Sequence, residues 1–120
     1  MHAEVITTGT ELLLGETIDT NSAYIARALR GIGLDLYYLT TVGDNEHRMA
    51  DILEQALERS DVTITTGGLG PTVDDVTRQA VARATHRADL LMPELLIDIE
   101  AFFSHLGRQM TENNRRQAYM

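Results

Sequence analysis

The sequence predicts an α/β domain in which a largely parallel sheet is covered by helices on both faces. Three short segments rich in apolar and β-branched residues, at positions 4–8, 35–42 and 62–66, have the composition of strands. Each is followed by a segment whose apolar residues recur at helical spacing. This β-α-β-α-β-α order is typical of parallel strands joined by crossover helices. With 120 residues, the chain is long enough for one domain and too short for two.

The helices are predicted from apolar stripes and from capping residues. Asn21 or Ser22 would cap a helix that ends near Arg30, and Asn45 would cap the helix after the second strand. A third helix follows the third strand, and a last short helix is expected within 111–119.

Pro93 is a favourable first-turn residue and predicts the start of a further helix, which Gly107 would end. Leu95, Leu96, Ile99, Phe102, Phe103 and Leu106 form its broad apolar face. We expect this face, including Phe102 and Phe103, to be core, although periodicity alone does not distinguish a core face from an interface.

Composition excludes several functions. The chain has no cysteine, which removes disulfides, thiolate zinc sites and cysteine nucleophiles. All ten basic residues are arginine, so a Walker-type phosphate loop and Schiff-base chemistry are excluded. The net charge of −8 disfavours nucleic acid as a partner. No apolar run is long enough to span a membrane and no signal peptide is apparent, so we expect a cytoplasmic protein with a small-molecule partner.

A glycine-rich segment at 67–77, Gly-Gly-Leu-Gly-Pro-Thr-Val-Asp-Asp-Val-Thr, joins the third strand to the third helix. In such a turn, backbone N–H groups converge on an anion at a helix N-terminus, where the helix dipole also favours negative charge. Asp74 and Asp75 would repel a bare phosphate, so the two features agree only if a divalent cation lies between carboxylate and phosphate oxygens. Glycines after a strand also occur merely to start a helix, and Thr72 with Asp75 has the spacing of a capping box.

Two other loops follow the carboxyl ends of strands, where ligands of open parallel sheets bind. The loop at 9–22 is long for a connection of this kind and contains Glu11 and Asn21, which could instead be solvated or cap a helix. Asp44 follows the second strand and could be a simple turn residue. We expect the three loops to meet in one site.

Several ordered motifs together resemble the N-terminal domain of the CinA (competence/damage-inducible protein) family, within the molybdopterin-binding superfamily of the MogA and MoaB type. The resemblance covers essentially all 120 residues. The motifs are Gly-Thr-Glu-Leu-Leu-Leu-Gly at 9–15, Asp-Thr-Asn at 19–21, Val-Gly-Asp at 42–44, the glycine-rich segment at 66–77 and Asn-Asn-Arg-Arg-Gln-Ala at 113–118.

The resemblance implies a three-layer αβα fold and metal-dependent ADP-ribose pyrophosphatase activity. The separate C-terminal domain that deamidates nicotinamide mononucleotide in longer members has no counterpart among these 120 residues. In the MogA-like branch the same site adenylylates molybdopterin, with functional acids that match Asp44 and Asp75. Leu69 stands where those enzymes usually carry threonine, which favours the pyrophosphatase branch. Family domains continue through further strands, so we expect a domain without its last strands and a homo-oligomer, with a dimer favoured.

The resulting hypothesis is hydrolysis of ADP-ribose to AMP and ribose 5-phosphate with Mg²⁺, Mn²⁺ or Co²⁺. Asp44 and Asp75 are the expected catalytic acids, and Asp44, Asp74 and Asp75 are the expected metal ligands. The expected phosphate or substrate contacts are Gly67, Gly68, Leu69, Gly70, Thr72, Asn21 and Glu11. Two alternatives stay open, namely adenylyl transfer to a pterin in molybdenum cofactor synthesis and a noncatalytic nucleotide-binding or oligomerisation module.

Overall fold

The computed structural model describes residues 1–120 and has the expected alternation of strands and helices. The strands are β1 (His2–Thr8), β2 (Asp35–Val42) and β3 (Val62–Thr66). The helices are α1 (Thr10–Leu13), α2 (Thr20–Gly31), α3 (Glu46–Arg59), α4 (Thr77–Ala84), α5 (Pro93–His105) and α6 (Glu112–Arg115), and a 3₁₀ turn follows at Arg116–Ala118. No helix is long and apolar enough to cross a membrane.

The sheet has three parallel strands in the order β2-β1-β3, with β1 at its centre. Residues 3–8 of β1 are all buried, because strands flank both edges and helices cover both faces. Along β1, Ala3 and Val5 pack in one cluster with Leu29 of α2, whereas Ile6 packs in another with α3 and α4. Side chains alternate between the faces of a strand, so one strand serves both clusters. The three-layer αβα prediction is therefore confirmed.

An ion pair holds the end of α3 against the sheet. Glu4 on β1 is fully buried, and its carboxylate accepts hydrogen bonds from Arg59 Nε at 3.0 Å and Nη2 at 2.6 Å. The hydroxyl of Ser60 donates a third bond at 3.2 Å. The guanidinium of Arg59 also lies 3.7 Å from the centre of the Tyr38 ring. Burial of a carboxylate is costly unless it is paired and hydrogen-bonded. Arg59, the last residue of α3, is the partner that Glu4 needs, so the pair fixes this end of the helix on the sheet.

The loop predicted at 9–22 contains more regular structure than the sequence suggested. Thr10–Leu13 forms the single-turn helix α1, and α2 begins at Thr20. The cap of α2 is Asp19, whose carboxylate accepts the Ser22 N–H at 2.9 Å, so the prediction of Asn21 or Ser22 as the cap was wrong. Asn45, by contrast, caps α3 as predicted by accepting the Arg48 N–H at 3.0 Å.

Helix α5 lies on the surface, and the prediction that Phe102 and Phe103 belong to the core was wrong. No residue of α5 is buried, and the Phe102 side chain is 60% exposed. The helix belongs to a peripheral unit that closes on itself, because Leu90 and Met92 pair in antiparallel fashion with residues 118–120. The radius of gyration is 15.8 Å, above the roughly 13.6 Å expected for a compact chain of this length. The unit therefore extends from the sheet.

The glycine turn begins at two positions where only glycine fits. Gly67 and Gly68 have φ values of +93° and +64°. A Cβ on Gly67 would lie 2.4 Å from the Thr8 carbonyl oxygen, and one on Gly68 would lie 2.4 Å from Thr77 Oγ1. The hydroxyl of Thr77 donates to the Gly67 carbonyl at 2.7 Å. The turn is thus held between the end of β1 and the start of α4.

We predict that Gly68→Ala destabilises the domain more than Gly33→Ala does. Both glycines have positive φ, +64° and +75°, but nothing lies within 4 Å of a Cβ on Gly33. Gly33→Ala should cost about 1–2 kcal/mol from backbone conformation alone. Gly68→Ala should cost roughly 1–3 kcal/mol more, because the added methyl group overpacks the contact with Thr77 and Thr8. Equal losses in urea denaturation would contradict the close-packing argument.

Candidate functional site

The loops after β1 and β2 are joined to each other at the carboxyl end of the sheet. The Gly9 N–H donates to the Val42 carbonyl at 3.0 Å. The Asp44 carboxylate accepts the Thr10 N–H at 3.1 Å, and the Asp44 N–H donates to Thr10 Oγ1 at 3.1 Å. This reciprocal pair places Asp44 beside α1, which carries Glu11. The structure therefore brings two of the three predicted loops together at Asp44.

In the glycine turn, the Asp75 carboxylate binds donors of its own loop. Asp75 Oδ2 accepts the Thr72 N–H at 2.9 Å and the Thr72 hydroxyl at 2.7 Å. The spacing predicted a capping box for α4, but α4 begins at Thr77 with Val76 at its cap position. The Thr72–Asp75 pair consequently closes the turn rather than the helix. Thr72 and Asp75 are therefore hydrogen-bonded to each other, and each already has a partner within the turn.

The hydrogen bonds of the turn favour the ionised form of Asp75. Partial burial raises the pKa of this carboxyl. The bonds from the Thr72 hydroxyl and from the Thr72 and Gly70 N–H groups, together with the nearby Arg78 charge, lower it by more. The net result is a pKa below the ordinary value of 3.8. Asp75 is therefore an anion at neutral pH, and it already occupies the N–H and the hydroxyl of Thr72, which the sequence assigned to a ligand.

Arg78 also holds the turn, and sequence analysis did not identify this residue. Its guanidinium donates to the Leu69 carbonyl at 2.7 Å and to the Gly70 carbonyl at 3.1 Å. Arg78 therefore holds two successive carbonyls of the turn, next to the Thr72–Asp75 pair. An arginine in the first turn of a helix, where the dipole disfavours a cation, was the signal that could have identified it.

Several backbone donors of the turn remain free, among them two successive ones at Gly68 and Leu69. The N–H groups of Gly68 and Leu69 donate to no other group of the chain. Gly68 has left-handed backbone geometry, and Leu69 is half exposed. Successive N–H groups in such a conformation form an anion-binding concavity. Gly68 and Leu69 are therefore our candidates for the predicted contact with a phosphate.

A small polar cavity of about 170 Å³ lies between α1, the start of α2 and the ends of β1 and β3. It contains three residues that the sequence singled out, Glu11, Asn21 and Gly67. The other lining residues are Thr7, Thr8, Leu12, Thr17, Ile18, Asp19, Thr20 and Thr66. Asn21 Nδ2 donates to Thr66 Oγ1 at 3.3 Å. The motif at 19–21 and the strand before the glycine turn thus meet in one place.

One wall of this cavity is a hydrogen-bonded group of Thr7, Asp19 and Ser22. The Thr7 hydroxyl donates to Asp19 Oδ2 at 2.9 Å and lies 2.6 Å from Ser22 Oγ, which also bonds to the carboxylate. Burial raises the pKa of Asp19, but the bonds from Ser22 and Thr7 outweigh that effect and leave it below 3.8. The cavity wall therefore carries a fixed negative charge.

A second cavity, of about 500 Å³, lies beside the free edge of β3. Leu69 and Arg78 of the glycine turn region line it, together with the apolar side chains of Val81, Leu90, Met92 and Met120. The glycine turn consequently lies between a small polar cavity and a larger, mostly apolar one.

The three acids predicted as metal ligands do not form one cluster. The structure contains no group of three or more histidine, aspartate or glutamate side chains that could hold a metal ion. Asp44 and Asp75 are bonded to Thr10 and Thr72, and Asp74 is exposed. A cation at this site would therefore take most of its ligands from phosphate oxygens and water, as Mg²⁺ commonly does.

Comparison with known proteins is consistent with the fold and the loop motifs. A family model described as "Probable molybdopterin binding domain" matches residues 4–116. A competence-damage inducible protein of Halothermothrix orenii is 52% identical over 120 residues, which are all of this chain and 29% of that protein. The chain thus spans under a third of the length of that relative.

Solved structures share the architecture. CinA from Thermoplasma acidophilum, a protein of unknown function, superposes with a TM-score of 0.90 at 31% identity, over 99% of this chain and 69% of that one. The molybdopterin biosynthesis Mog protein of Mycobacterium ulcerans superposes with a TM-score of 0.62 at 27% identity, over 82% and 63% of the two chains. On the match of 113 residues by the family model (4–116) and the likeness to CinA, the chain belongs to the molybdopterin-binding domain family, in which its near relatives are the competence-damage inducible proteins.

Proposed function

We propose that this domain binds a small pterin or nucleotide through its phosphate, with the glycine turn as the phosphate site. The observation that carries the proposal is the pair of free N–H groups on Gly68 and Leu69, in a turn that is fixed by other residues. The family description names molybdopterin, a pterin that carries a phosphate, as the ligand class. Relatives named for molybdopterin biosynthesis have the same fold.

The turn is prepared for an anion before the ligand arrives. Arg78 holds the Leu69 and Gly70 carbonyls, and Thr77 holds the Gly67 carbonyl. Preorganised donors need not be reoriented when the ligand binds, so less free energy is spent on ordering the loop. The N-terminus of α4 adds a favourable dipole at the same place.

Charge limits which phosphate compounds can bind. Asp75 and Asp74 lie in the same loop as the two free donors, and Arg78 is the cation that contacts it. A phosphate with two negative charges would be repelled by the carboxylates unless a divalent cation compensates. We therefore propose that affinity depends on Mg²⁺ or Mn²⁺, with Asp44 and Asp75 as the carboxylates that contact this cation.

We predict that Arg78→Met weakens binding of a phosphorylated ligand such as AMP by about tenfold, whereas Arg83→Met does not change it. Without Arg78 the Leu69 and Gly70 carbonyls lose charge-assisted hydrogen bonds of about 1.5–3 kcal/mol each, so part of the binding free energy is spent on ordering the turn, and 1.4 kcal/mol is a factor of ten in affinity. Arg83 lies on the same helix and approaches only Glu46, at 4.0 Å, so it is a matched control. Isothermal titration of AMP in the presence of Mg²⁺ measures both. Equal affinity in the two variants would remove Arg78 from the site.

Hydrolysis of ADP-ribose is a finer proposal that rests on the resemblance to the CinA family. A cation bound to the pyrophosphate would polarise the bridging phosphate and lower the pKa of an attacking water. In this chain Asp44 and Asp75 would hold that cation, and the Gly68 and Leu69 N–H groups would orient the pyrophosphate. Adenylyl transfer to a pterin uses the same binding elements, so geometry alone does not choose between the two reactions.

We predict that, if the domain hydrolyses ADP-ribose, AMP release requires added Mg²⁺, Mn²⁺ or Co²⁺ and is lost in Asp44→Asn. Chromatography of the products measures AMP directly. Asp51→Asn is a suitable control because Asp51 is an exposed aspartate on α3 and lines neither cavity. Binding of AMP without any turnover would reject hydrolysis by this chain and favour a binding module, and adenylylation of a supplied pterin would select the transferase.

A further inference from the structure

We propose that the small polar cavity beside the glycine turn holds one uncharged ring of the ligand, bound through hydrogen-bond donors on that ring. The inference rests on the proposed function, since it assigns the part of the ligand that is not phosphate. Gly67 and Thr66 belong to the cavity wall and directly precede the two successive free N–H groups of the turn. A single small molecule can therefore reach both places.

The charge of the cavity selects against an anion. Glu11 and Asp19 line it, and no lysine, arginine or histidine does. Asp19 is kept ionised by its hydrogen bonds to Ser22 and Thr7. Two carboxylates without a cation oppose a phosphate and favour neutral groups that donate hydrogen bonds. The phosphate therefore belongs on the turn and the neutral part in the cavity.

The free hydrogen-bonding groups fit such a ring. The Glu11 carboxylate makes no hydrogen bond within the chain, and Asn21 donates through Nδ2 to Thr66, which leaves its oxygen as an acceptor. The cavity thus offers carboxylate and amide oxygens as acceptors for donors on the ring.

The size of the cavity limits the occupant to one ring. Its volume of about 170 Å³ is below the roughly 300–1,000 Å³ of pockets that enclose drug-sized ligands. An apolar cavity of about 150 Å³ holds one benzene molecule, which gives the scale. The ribose of a nucleotide and the aminopyrimidinone ring of a pterin both have this size and both present neutral donors.

The test compares Glu11→Gln with Glu16→Gln by titration at constant Mg²⁺ with inorganic pyrophosphate, ribose 5-phosphate and a pterin phosphate. Glu16 is exposed in the same loop but does not line the cavity. We expect Glu11→Gln to weaken at least one of the ring-bearing ligands by about fivefold to tenfold, in line with the loss of a charged hydrogen bond. Pyrophosphate should bind Glu11→Gln as well as, or more tightly than, it binds the unmodified chain. Glu16→Gln should change neither affinity.

Each other outcome overturns part of the account in a distinguishable way. An equal loss of pyrophosphate affinity in Glu11→Gln would mean that Glu11 acts on the phosphate or its cation, and the ring assignment would fail. Unchanged affinity for both ring-bearing ligands would also reject it, while leaving phosphate binding at the turn intact. Failure of the unmodified chain to bind any of the three ligands would reject the proposed function and this inference together. The ring-bearing ligand that loses affinity in Glu11→Gln shows whether the cavity accepts the sugar or the pterin ring.

Discussion

Burial of β1 on both faces and along both edges is the constraint on which the rest of the structure depends. Its residues pair with β2 and β3, and its alternating side chains fill the clusters beneath α2 and beneath α3 and α4. The two threonines at its end, Thr7 and Thr8, are also buried and line the polar cavity. The same strand that organises the core therefore positions the floor of the candidate site.

The glycine turn depends on contacts from three directions. Thr8 on β1 leaves no room for a side chain at Gly67 or Gly68, Thr77 holds the Gly67 carbonyl, and Arg78 holds the Leu69 and Gly70 carbonyls. The successive N–H groups of Gly68 and Leu69 remain available, and their orientation is set by residues that need not touch a ligand at all. This explains how a turn rich in carboxylates can still be a candidate phosphate site.

Much of the central fold could be predicted because its signals are local. The strand at 62–66, the cap at Asn45 and the apolar stripe that includes Ala80 and Ala84 follow from residue type and spacing, and all three are observed. Whether α5 is buried or exposed could not be predicted in the same way. A helix with an apolar face is equally compatible with a core and with an exposed surface, and only tertiary packing decides between them.

The sequence predicted several residues of the candidate site, but it did not predict most of the hydrogen bonds between them. Glu11, Asn21 and Gly67 were recognised from loops and motifs, and the structure brings them into one cavity. That Asp75 would bind Thr72 within the turn, that Asp19 would cap α2 and that Arg78 would hold two carbonyls depend on three-dimensional distances between polar groups. Residue spacing suggested only the first of these, and it suggested the wrong role.

The most direct test of binding at the glycine turn is a titration of the ¹⁵N-labelled domain with AMP and Mg²⁺, followed by amide chemical shifts. If the turn is the phosphate site, the Gly68 and Leu69 amides should show the largest saturable shifts, because their N–H groups would acquire a charged acceptor. The amide of Phe102 on the peripheral α5 serves as an internal reference. Saturable binding that leaves the Gly68 and Leu69 amides shifted no more than Phe102 would contradict the account.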